Sequence, residues 1–138
     1  MDNPRQSAAR LRLAEGFFKT VRLKRRASEH EIRNALSRCY YAFFHISHAV
    51  LGRYRGHELV AAEIGKRDAL LGEFVATLQK LRIEADYIPD VVEMKYGGEL
   101  DAYRLRADQA LAQAASQFRR ALRLALRTSA AGTADDRT

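Results

Sequence analysis

Asn34, Arg38, Tyr41, His45 and His48 recur at steps of four, three, four and three, which places all five on one face if their segment is helical. A solvated helix face more often carries Lys and Glu. Here an arginine, a tyrosine and two histidines lie in line, and these are residue types that do chemistry. The Arg38 guanidinium is a planar fork suited to phosphate, and the His45 imidazole titrates near neutrality. Seven residues apart, they sit two turns along the same face, the juxtaposition that phosphoryl transfer needs. Asn34, Tyr41 and His48 would line the substrate around this catalytic pair. Each residue also has a structural reading. Arg38 could bridge to Asp86 or Glu84, and His45 could serve as a hydrogen bonder at an interface. Tyr41 either stacks on a nucleobase or packs in a protein–protein face.

Other chemistries find no support. His45 and His48 stand at i, i+3, but no Cys or carboxylate at ligand spacing accompanies them on that helix, so no metal is expected. The chain has no glycine-rich phosphate loop and no serine-nucleophile motif, so neither nucleotide hydrolysis nor acyl transfer is supported, and no cofactor is expected. Cys39 falls on the opposite, apolar side of the segment and reads as a small buried hydrophobe. It is the one cysteine, which excludes an intramolecular disulfide and points to a reducing, cytoplasmic setting.

Four main helices would position these residues. The first runs roughly from Arg5 to Arg25, with Leu11, Ala14, Phe18 and Val21 at helical spacing. Ser28 and Glu31 form a capping-box signature that opens the second helix, roughly 29–51. Its core face is Ile32, Leu36, Cys39, Tyr40, Phe43 and Val50. A third helical region, broken near Gly65, continues from Asp68 to about Ala85 and stops before Pro89. A loop through Gly97-Gly98 leads to a last helix, roughly 101–127. Tyr103, Ala107, Ala110, Ala114, Phe118, Ala121 and Ala125 face inward there. Residues 128–138 have no apolar anchor and read as a disordered tail.

Length and composition agree with this plan. A chain of 138 residues holds one domain with one core, and two prolines and eight glycines favour helix over strand. The longest uncharged run, Cys39 to Gly52, is 14 residues. A membrane span needs about 20 apolar residues, so this run reads as a core helix and no membrane partner is expected. The net charge of +7 is uneven: residues 1–33 carry nine Lys or Arg against four acids, and 101–127 carry six against two. Two readings remain open, an RNA or phosphate surface on the terminal helices and a solvated arginine face.

Two motifs resemble HEPN proteins, the helical proteins found beside nucleotidyltransferases and in toxin–antitoxin pairs. One is A-L-S-R-C-Y-Y-A-F-F-H, Ala35 to His45, and the other is L-R-I-E-A-D-Y, Leu81 to Tyr87. Together with the order of the flanking helices, the resemblance covers roughly residues 28–127. It implies an all-α, up-and-down bundle of four main helices that dimerises. It further implies a metal-independent RNA endonuclease of a defence or toxin–antitoxin system, with a composite site at the dimer. The Arg-x6-His pair Arg38 and His45 would be its catalytic motif; Arg25-x4-His30 also has the spacing but straddles a helix break. The alternative implied role is a catalytically silent module that binds a nucleotidyltransferase partner or a nucleotide.

Overall fold

The computed structural model describes the backbone of residues 1–136 and the side chains of residues 1–130. Six helices pack together, and no strand occurs among the described residues. In chain order they are α1 (Pro4–Lys19), α2 (Glu29–Leu51), α3 (His57–Gly65), α4 (Ala69–Tyr87), α5 (Val91–Tyr96) and α6 (Leu100–Asp136). No described helix is long and apolar enough to cross a membrane.

Local chemistry sets most of these boundaries. Asn3 caps α1 and Gln6 reaches back to it, with Pro4 in the first turn, where its missing N–H costs nothing. The Thr20 hydroxyl donates to the Phe17 carbonyl at 2.8 Å, and α1 ends there, short of the Arg25 that periodicity suggests. The chain then runs irregularly, because Val21, Leu23 and Ala27 turn inward at a spacing no helix could satisfy. The capping box of α2 forms as its sequence implies, between Ser28 and Glu31. Gly52 closes α2 in the left-handed region at φ 70°, where a side chain would be strained.

The third helical region is two helices. Asp68 accepts from the Leu71 amide and starts α4 afresh. A Cβ placed on Gly72 would overlap the Cα of Gly65, so α3 and α4 cross backbone to backbone. The connection expected as a loop contains the short helix α5, which ends at Gly97 and Gly98 with φ of 61° and 80°. α6 continues past Arg127 to Asp136, where a disordered tail was expected. One reason is that the Thr128 hydroxyl reaches the Val50 carbonyl at 3.0 Å and docks the helix on the end of α2. The side chains of 131–138 lie outside the described residues.

The core consists of two clusters. One joins the C-terminal half of α2 to α1, α3, the start of α4 and the later part of α6. The other joins the N-terminal half of α2 to the end of α4, α5 and the start of α6. α4 therefore runs antiparallel to α2, and α6 runs parallel to it. The inward faces read from periodicity in α2 and α6 are all buried. Each large apolar side chain removed from water contributes about 1.5–3 kcal/mol. Because 14 of the 23 residues of α2 are buried, only a narrow strip of this central helix is left for function.

α2 and α4 are also tied by polar contacts. The Arg33 guanidinium donates to the carbonyls of Ala85, Ile88 and Pro89 at 2.8, 3.0 and 2.9 Å. It thereby satisfies carbonyls that the end of α4 leaves without intrahelical partners.

Candidate functional site

The narrow strip on α2 opens into a shallow groove of about 440 Å³, lined by Phe17 of α1 and by Asn34, Ser37, Arg38, Tyr41 and His45. Four of the five residues of the sequence-derived stripe thus meet in one concavity, and Ser37 and Phe17 are additions that spacing did not suggest. Arg38 is exposed, and its one hydrogen bond is a long one, 3.3 Å to the Thr20 hydroxyl. The bridges to Asp86 or Glu84 do not form. Asp86 instead faces Arg82 at 3.8 Å, and Glu84 is held by Lys95 at 2.7 Å. Among the described residues no carboxylate pairs with Arg38, so its charge is available to an anion.

His45 is half-buried. Its ring stacks on Phe17 at 5.4 Å between centroids and lies 6.4 Å from Tyr41. Burial lowers its proton affinity, and the nearby His48, Arg10 and His57 act in the same direction. His45 is therefore held neutral near pH 7, the form able to accept a proton. Asn34 is exposed and engages His30 at 3.3 Å.

His48 does not join the stripe. It is fully buried, its Nε2 lies 2.8 Å from the Arg55 carbonyl, and Tyr54 stacks on it at 4.9 Å. The cause is the crowding of the C-terminal half of α2, where the segment after Gly52 folds back over the helix. His48 secures that segment and cannot contact a substrate in the groove.

On the other side of Tyr41 lies a second, closed constellation. Arg82 of α4 is 5 % exposed, and its guanidinium carbon stands 4.9 Å from the Tyr40 ring and 5.6 Å from those of Tyr41 and Tyr87. Three aromatic faces thus surround a buried cation, each contact being worth about 0.5–2 kcal/mol. His57, the first residue of α3, stacks on Phe44 at 4.2 Å. Its Nδ1 lies 2.5 Å from the Tyr40 hydroxyl and 3.3 Å from an Arg82 nitrogen. A guanidinium only donates, so Nδ1 is an acceptor and the ring is neutral with its proton on Nε2. Burial and the Arg82 charge lower the proton affinity of His57 in agreement with that tautomer. Burial also pushes the Tyr40 hydroxyl up to about 12, so it stays a donor.

The sequence placed Tyr40 on the core face of α2, put Asp86 and Tyr87 in the second HEPN-like motif, and offered no role for His57. The available signal was the pair Tyr40-Tyr41 together with Arg82, Asp86 and Tyr87 at i, i+4 and i+5. The two constellations touch: Tyr41 belongs to both, and the Ser37 hydroxyl in the groove lies 3.4 Å from Asp86. No group of three or more His, Cys, Asp or Glu that could hold a metal occurs among the described residues. No family model, curated protein or solved structure matches the chain.

Proposed function

We propose that the chain is a HEPN-like helical protein that cleaves RNA without a metal, at a composite site formed when two copies meet across the α2 groove. The observation that supports this reading is an exposed arginine free of carboxylate partners beside a neutral histidine and a tyrosine ring in one open groove. In this reading Arg38 holds a non-bridging phosphate oxygen. Neutral His45 takes the proton of the ribose 2′-hydroxyl, and the 2′-oxygen attacks phosphorus. The bond from phosphorus to the 5′-oxygen breaks, and that oxygen takes a proton from solvent, while His45 releases to solvent the proton it accepted and is neutral again. The products are a 2′,3′-cyclic phosphate and a free 5′-hydroxyl. A four-main-helix up-and-down arrangement, a defence or toxin–antitoxin setting and a nucleotidyltransferase partner belong to the same proposal through the resemblance of the two motifs.

The test is cleavage of total RNA by purified protein in EDTA. The expected result is cleavage that leaves cyclic phosphate ends and falls about 10²- to 10⁴-fold in a folded His45→Ala variant. An inert parent, or a variant that cuts equally well, overturns the catalytic role. A second reading, a silent module that binds a nucleotide or a nucleotidyltransferase, is favoured by one feature. Among the described residues no hydrogen bond orients the His45 ring, whereas catalytic bases are usually oriented by a third group. Nucleotide binding without cleavage, lost in Arg38→Ala, would support that reading.

A further inference from the structure

The irregular segment 20–28, between α1 and α2, is held in place from beneath. Val21 packs on one core cluster, Leu23 packs on the other, and Ala27 is fully buried. The Arg104 guanidinium of α6 donates twice to the Ala27 carbonyl, at 3.1 and 2.5 Å. Between these anchors Arg22, Arg25 and Arg26 are exposed, and none pairs with a carboxylate among the described residues. Lys24 is different, since it reaches Glu31 at 3.3 Å. Some cations elsewhere are balanced, Arg10 by Asp2, Arg53 by Glu63 and Arg120 by Asp68, while others, Arg119 and Arg123 of α6 among them, lack a carboxylate partner among the described residues. What sets this segment apart is that its three exposed guanidiniums stand together on an anchored loop whose first residue, Thr20, is the hydrogen-bond partner of Arg38.

We infer that segment 20–28 is the outer half of a path for single-stranded RNA that ends in the α2 groove. This rests on the proposed reading of that groove as an RNA site. Arg22, Arg25 and Arg26 take backbone phosphates along the loop, Arg38 takes the phosphate at the groove, and Tyr41 offers its ring to a base there. The strand must be single, because only unpaired bases present a face for stacking. The loop backbone is already ordered by its core anchors, so only the arginine side chains, and not the segment that carries them, lose freedom when a strand binds.

The experiment is fluorescence anisotropy of a short labelled oligoribonucleotide, single-stranded and as a duplex, over a range of salt. Four proteins are compared: the unmodified chain, R25Q/R26Q, R38Q, and R119Q/R123Q on the exposed side of α6. All the altered side chains are exposed, and circular dichroism checks each fold. The expected result is a preference for the single strand and a salt slope smaller by about 1.4 in R25Q/R26Q, at ~0.7 for each lost phosphate contact. R119Q/R123Q should bind as the unmodified chain does. A slope unchanged in R25Q/R26Q, or equal binding of the duplex, overturns the path. If R38Q alone weakens binding, the path fails while the groove reading stands; if the unmodified chain binds no RNA, both fail.

Discussion

Tyr41 separates two constellations that use the same residue types in opposite ways. On the groove side, Arg38 is exposed, holds one long hydrogen bond to Thr20 and has no acid partner. On the other side, Arg82 is buried among three tyrosine rings, with a histidine and an aspartate at its edge. A guanidinium that is already surrounded stabilises the packing of α2, α3 and α4. One that is left open keeps its charge for a ligand. The difference lies in how many partners the fold has already given each arginine.

Substituting the two arginines tests this contrast most severely. Arg82→Ala removes a buried side chain from among three rings and takes one donor from His57 Nδ1, which should cost about 2–3 kcal/mol in urea unfolding. Arg38→Ala should stay within about 0.5 kcal/mol of the parent, as exposed positions do. Equal losses would abolish the distinction between a structural and a ligand-facing arginine. A smaller effect should follow from His57→Phe, which keeps the stacking on Phe44 but leaves the buried Tyr40 hydroxyl without its acceptor. The expected loss is about 1–2 kcal/mol, with the far-ultraviolet dichroism unchanged.

The smallest effect is a pH dependence that both sides share. His45, His48 and His57 all have proton affinities lowered chiefly by burial. The unfolded chain therefore binds protons first, at the ordinary histidine value near 6.5. Their contribution to stability is complete above about pH 6.5 and is lost as pH falls below it. Unfolding midpoints between pH 7 and 5 should decline, and less steeply in His57→Phe. A flat profile would mean that these histidines titrate alike in both states.

How much of this was legible in the sequence depends on how local each signal is. α2 could be bounded closely because Ser28, Glu31 and Gly52 mark its ends chemically, and its groove face follows from a period that one helix sets. The end of α1 was obscured because Lys24-Arg25-Arg26 resembles a basic helix terminus, whereas the Thr20 hydroxyl and the inward turn of Val21 and Leu23 decide it. α5 was hidden by the two glycines that follow it. His48 has the right phase for the groove, but periodicity carries no information about which chain segment will cover it. The cluster at Arg82 was out of reach for a different reason. Its members come from α2, α3 and α4, and nothing local joins His57 to a tyrosine and an arginine 17 and 25 residues away. Arg33 reads as a solvated helix residue until the end of α4 is placed beside it.

The crossing of α3 and α4 has a consequence for which sequences this fold admits. A methyl group on Gly72 would collide with the backbone of Gly65, whereas one on Gly65 meets only the Gly72 Cα at 3.9 Å, an ordinary contact. The two glycines look interchangeable along the chain, yet the tolerated alphabet is asymmetric: position 65 can accept alanine, and position 72 is confined to the single residue that has no side chain.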